Sequence, residues 1–145
     1  LNQFVGSLRA GRDHGRECLR KWRLKLEQIR DAGTSTNQCF GKLLSLQGND
    51  VEPYCLHVEN LLTMVNDSML AKKELERYVD IVRAQLSPDG QIVLLYFCAA
   101  PEGSRLLARG VLRQFIGATG PAEPDKPAVS QEELLRKLDQ LLKAA

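Results

Sequence analysis

Nine consecutive apolar residues, Ile92 to Ala100, form the longest unbroken hydrophobic run in the chain. The run falls far short of the roughly 20 residues a helix needs to cross a bilayer, so it must be buried inside the protein. An element that is apolar on every side needs several others to cover it. Its local start is ambiguous: Ser87 followed by Pro88 is a good N-cap and first helical position, and Ser87-Pro88-Asp89-Gly90 is also a good β-turn. The composition of 91–98 is strand-like, but its neighbours are all helical. They favour a buried central helix over 91–98, with a strand as the minor alternative.

Those neighbours are amphipathic stripes. Over residues 2–32, Phe4, Leu8, Cys18, Leu19, Trp22, Leu26 and Ile29 recur at helical spacing, although Gly11 and Gly15 weaken the middle. Gly33 and the Thr-Ser-Thr-Asn that follows predict a stop and a new start. A short helix over about 37–47 then presents Phe40, Leu43, Leu44 and Leu46. Pro53 suits a first helical turn. Tyr54, Val58, Leu61, Leu62, Val65 and Met69 then form one stripe and Leu75, Tyr78, Val79, Val82 and Leu86 another, with helices expected over 52–67 and 70–86. Beyond Pro101-Glu102-Gly103-Ser104 comes another stripe, Leu106, Leu107, Val111, Leu112, Phe115 and Ile116.

Pro121, Pro124 and Pro127 mark a linker, extended and poorly suited to a core. After it, Ser130 and Glu133 form a capping box, and Leu134, Leu135, Leu138, Leu141 and Leu142 make a leucine seam. The expectation is an all-α fold: a helical bundle of about five to six helices over 1–117, a Pro-rich linker over 118–129 and a C-terminal amphipathic helix over 130–145. An isolated helix of that length is marginal in water. It must dock either on its own domain or on another chain, which makes Leu134, Leu138, Leu141 and Leu142 candidates for a protein partner or a homo-oligomer.

Charge separates the ends of the chain. The net +2 is near balance and gives no reason to expect a protein that grips phosphate backbones. Residues 1–33, however, hold eight Lys and Arg against four acidic residues, leaving the remainder at −2. Arg12, Arg16, Arg20 and Arg23 are the candidate basic face, either for an anionic partner or as an ordinary solvated surface. Cys18, Cys39, Cys55 and Cys98 form no Cys-x-x-Cys pair, so they read as small buried hydrophobes in a reducing compartment, with no metal and no cofactor expected.

Arg9 and His14 enclose four residues, a spacing similar to that of the HEPN ribonucleases, in which His assists proton transfer and Arg stabilises the phosphate. On a continuous helix the two side chains would stand about 140° apart. His57 lies between Cys55 and Glu59, but residues two apart on a helix face different ways, so Cys55 and His57 do not form a local dyad.

The stretch Tyr78-Val79-Asp80-Ile81-Val82-Arg83-Ala84-Gln85-Leu86-Ser87, followed by Leu94-Leu95-Tyr96-Phe97, resembles the phage abortive-infection proteins of the AbiC-like family, with looser agreement over residues 4–100. The resemblance implies a helical domain of a bacterial antiviral protein, cytoplasmic, from a parent whose membrane helices would lie outside this chain; the start at Leu1 fits an excised piece. It carries over no catalytic residues. Physically the motif reads as structure: Tyr78, Ile81 or Val82, and Leu86 bury one face, Arg83 and Gln85 hydrogen-bond across helices, Ser87 caps the next helix, and Tyr96 belongs to the apolar run. The expected function is a non-enzymatic interaction or sensor domain in phage defence. A HEPN-like ribonuclease toxin and a general interaction scaffold are the alternatives.

Overall fold

A computed structural model describes residues 9–10, 13–47, 50–108, 110–117 and 128–144. Among them are a two-residue ladder of β1 (Arg9–Ala10) and β2 (Asp13–His14), seven α-helices and one 3₁₀ helix. The α-helices are α1 (Arg16–Asp31), α2 (Thr36–Gln47), α3 (Val51–Asp67), α4 (Lys72–Gln85), α5 (Pro88–Ala99), α6 (Gly110–Ile116) and α7 (Gln131–Ala144); the 3₁₀ helix is Pro101–Ala108. The fold is all-α apart from that small ladder.

The apolar run is helical, and α5 is the centre of the molecule. Every residue from Ile92 to Ala100 is buried, and α5 packs against α1, α2, α3, α7 and the 3₁₀ helix. Ser87 starts it as an N-cap, its hydroxyl accepting the Gly90 N–H at 3.1 Å, with Pro88 in the first turn. Close approach at both ends of α5 demands glycine. A Cβ on Gly90 would sit 2.5 Å from the Tyr54 hydroxyl, and one on Gly103, in the 3₁₀ helix, 2.3 Å from the Phe97 carbonyl oxygen. Phe97 also meets Phe40 of α2 edge to face, with ring centroids 5.2 Å apart.

The first helix is shorter than its apolar spacing predicts. It starts at Arg16, after Gly15 adopts a left-handed φ of 58° that a helix cannot continue through. Residues 9–10 and 13–14 form the ladder instead, and Phe4 and Leu8 lie outside the described residues. From Arg16 onward the pattern holds: Cys18, Leu19, Trp22, Leu26 and Ile29 are all buried. Gly33, at φ 106°, ends the helix as expected, with the Gly33 and Thr34 N–H groups donating back to Arg30 and Ile29 carbonyls.

Three stripe assignments are corrected, the first being Leu46, half exposed near the end of α2. Met69 lies beyond the end of α3 and is fully exposed, and Tyr78 and Ile81 are each nearly half exposed on α4. Val79, Val82 and Leu86 supply the buried face there, because Tyr78 lies about 100° around the helix from Val79. The stripe after Pro101 stays buried although it crosses from the 3₁₀ helix into α6.

The capping box forms as read. Glu133 N–H donates to the Ser130 hydroxyl at 3.1 Å, and Ser130 N–H donates to the Glu133 carboxylate at 3.3 Å. It starts α7, which packs on α5 with Leu134 and Leu138 wholly buried in the same core and Leu141 and Leu142 partly so. The predicted linker over 118–129 falls mostly outside the described residues; at its end, Val129 N–H donates to the Leu107 carbonyl at 2.9 Å. No helix among the described residues is long and apolar enough to cross a membrane.

Candidate functional site

The 78–97 motif is divided between residues the fold consumes and residues it leaves outside. Arg83 is consumed. Its Nε donates to the Phe115 carbonyl at 3.0 Å, a second nitrogen reaches the Gln114 carbonyl, and a third pairs with Asp80 at 3.0 Å. The guanidinium also lies 5.7 Å from the centre of the Phe115 ring. A cation thereby satisfies the open carbonyls at the end of α6, where the helix dipole favours positive charge. Leu86 is buried and Ser87 caps α5, as read from the sequence. Gln85, expected to hydrogen-bond across helices, is exposed; Gln91 instead bridges to the Arg83 and Leu86 carbonyls.

Tyr96 is buried, with its hydroxyl toward Arg30. Burial pushes its pKa up, and the neighbouring guanidinium only partly opposes the shift. Arg30 also pairs with Asp139 of α7 at 3.0 Å, a tie between elements 109 residues apart in sequence.

The predicted basic face is partly dismantled. Arg23 is mostly covered; it pairs with Glu27 at 2.7 Å and with Asp89 at the start of α5. Burial works against its charge, but Asp89 and Glu27 together outweigh that and hold its pKa above the ordinary arginine value. Arg23 is thus a tie between α1 and α5 rather than a free cation. Arg16 and Arg20 are exposed on α1, and Arg12 lies outside the described residues. Arg9 and His14 are not on a helix. The ladder register places them directly opposite each other across the two strands.

A buried carboxylate that the apolar stripes do not reveal is paired with an exposed arginine. The Glu59 side chain is 7% exposed, and its Oε1 accepts from an Arg105 nitrogen at 2.7 Å; Arg105 itself is 71% exposed. The other carboxylate oxygen, Oε2, is buried with no hydrogen-bond partner among the described residues. Burial pushes the Cys55 and Cys98 thiols well up, and the Glu59 charge adds to both shifts. Both therefore remain thiols at neutral pH and are poor nucleophiles. Glu59 and Cys55 are four residues apart on one face of α3, the local signal that a carboxylate points inward. His57 is half-buried, turned from Cys55 as the helical offset requires.

A cleft of about 540 Å³ opens where the starts of α2 and α7 converge on the end of α5, lined by Ser35, Thr36, Asn37, Ser104, Gln131 and Leu135 among others. Its lining offers hydroxyl and amide groups and no ionisable side chain. Among the described residues, no group of three or more His, Cys, Asp or Glu side chains is placed to hold a metal.

No curated protein and no solved structure matches the chain. One family does, over the part that holds α3, α4, α5 and the 3₁₀ helix, and it links the chain to phage defence in general: residues 47–110 match the family described as "putative phage abortive infection protein".

Proposed function

We propose that this chain serves phage abortive infection as a non-enzymatic helical module that acts through protein contacts. One observation carries the reading. Within the matched segment the polar residues Arg83, Glu59 and Arg105 are spent on joining elements and Ser87 on capping one, while the apolar Met64, Met69, Tyr78 and Ile81 face outward. Exposed large apolar side chains gathered on one segment mark a contact surface more often than a catalytic one, and methionines suit adaptable contacts. The C-terminal leucines are the weaker candidates for a partner, because Leu134 and Leu138 already lie in this chain's own core.

A second reading rests on the ladder, which sets Arg9 opposite His14 and so removes the 140° separation a helix would have imposed. One experiment addresses both. Bacteria expressing the protein are challenged with phage, and plaque formation is compared between the wild type and folded variants. Loss of protection in Met64→Glu with Met69→Glu, and its retention in His14→Ala, supports the contact module. Loss in His14→Ala together with RNA cleavage by the purified wild type replaces it with a ribonuclease.

A further inference from the structure

We propose that the outward flank of α4 is a dimerisation surface, occupied by α4 of a second copy of this chain in antiparallel orientation. The proposal rests on the protein-contact reading above and names the partner. Glu74, Tyr78, Ile81 and Gln85 are all exposed on α4, with Tyr78 at 48% and Ile81 at 44%. They follow one another by four, three and four residues, the alternation of a coiled-coil seam, and lie within an arc of about 60°. The core-facing stripe of α4 (Val79, Val82 and Leu86) is separate, and Arg83 is committed to the end of α6. These four side chains are therefore spare.

Their order selects one occupant. In an antiparallel pair with its twofold axis between residues 79 and 80, Tyr78 of one copy meets Ile81 of the other, twice. Glu74 then meets Gln85, twice, and the Gln85 amide can donate to the Glu74 carboxylate. The result is an apolar centre with a complementary polar pair at each end, the arrangement that interface cores and rims prefer. A parallel pair would set Glu74 against Glu74, an unfavourable contact between like charges. A single helix pair of this length falls below the roughly 1,200 Å² of standard interfaces, so the dimer is weak and concentration-dependent.

Sedimentation of the full chain between roughly 10 µM and 1 mM, where such small interfaces associate, is expected to show the mass rising from monomer toward dimer. Ile81→Glu should remain monomeric with unchanged helical signal and melting temperature, since Ile81 is not in the core. Orientation is read by cross-linking. A mixture of Tyr78→Cys and Ile81→Cys chains should form the mixed disulfide several-fold faster than either forms its own, with the four native cysteines silent because all are buried. A chain that stays monomeric throughout overturns the proposal, as does a dimer that Ile81→Glu leaves intact or equal rates of like and mixed cross-linking. Binding of a monomeric chain to phosphatidylserine vesicles, abolished by Ile81→Glu, would give the face to a membrane and also overturn it. A monomer that still protects cells through its methionine surface defeats the dimer alone. A dimer whose host is protected regardless of those methionines defeats the contact reading of the function instead.

Discussion

At the scale of single residues, the informative distinction is between polar groups the fold spends and groups it leaves available. Arg83 is spent most completely, on two carbonyls at the end of α6, a carboxylate and a ring face. Replacing it with methionine keeps much of the aliphatic stem and removes the charged hydrogen bonds, each type worth about 1.5–3 kcal/mol. Arg83→Met is expected to lower unfolding stability by about that amount in urea denaturation. Arg83→Lys should recover less than half, because a single ammonium cannot reproduce the planar fork that spans both carbonyls. Equal stability of the lysine variant and the wild type would show that charge alone matters at this position. The motif points to Arg83 as a hydrogen-bond donor across helices, as found, but other partners are not legible in sequence. By spacing Arg23 belongs to a basic face, but Asp89, 66 residues away, lies beside it, and the partner of Glu59 is 46 residues downstream. Periodicity says which way a side chain points on its own helix, but not what another helix brings to meet it.

Elements were far more legible, because they are set by local patterns. The expected helices over 37–47 and 52–67 are found at 36–47 and 51–67, and the apolar run is the helix that its helical neighbours favour, started by Ser87 as its N-cap. The failures also have local causes. Gly15 stops the first stripe's helix at Arg16, and Tyr78 shares the hydrophobicity of the core stripe on α4 but not its angle. The capping box of α7 makes the clearest element-scale prediction. Hydrogen bonding from the Ser130 backbone, helped by Arg113, holds the Glu133 pKa below the ordinary carboxylate value against a smaller cost of burial. A lowered folded-state pKa stabilises above the unfolded value and is lost as pH falls through the folded one. The start of α7 is therefore expected to loosen as pH drops through the ordinary glutamate value of about 4.3 and below it. Hydrogen exchange of the 131–136 amides, corrected for intrinsic rates, should rise across that window in the wild type and much less in Glu133→Gln. The same rise in both would remove the capping box as its cause.

For the whole molecule, the decisive fact is that α7 closes the cover around α5. A helix with nothing but buried side chains from Ile92 to Ala100 exposes apolar surface wherever a neighbour is withdrawn, and α7 supplies Leu134 and Leu138 at zero exposure. Charged ties fix it in place: Arg30 to Asp139 at 3.0 Å, and Arg113 to Glu133 at 3.2 Å and to the Ala128 carbonyl at 2.8 Å. The helix that follows the proline-rich stretch in sequence thus packs on the same core. Truncating either buried leucine to alanine should cost about 2–5 kcal/mol, a large share of the roughly 5–15 kcal/mol that keeps a domain folded. The pair Leu134→Ala and Leu138→Ala, and more severely a chain ending at residue 117, are therefore expected to lose cooperative thermal unfolding and to bind an apolar dye through the uncovered flank of α5. A chain of residues 1–117 that melts as sharply as the full protein at the same temperature would show that α7 is an accessory rather than a wall of the fold, and would free its leucines for a partner.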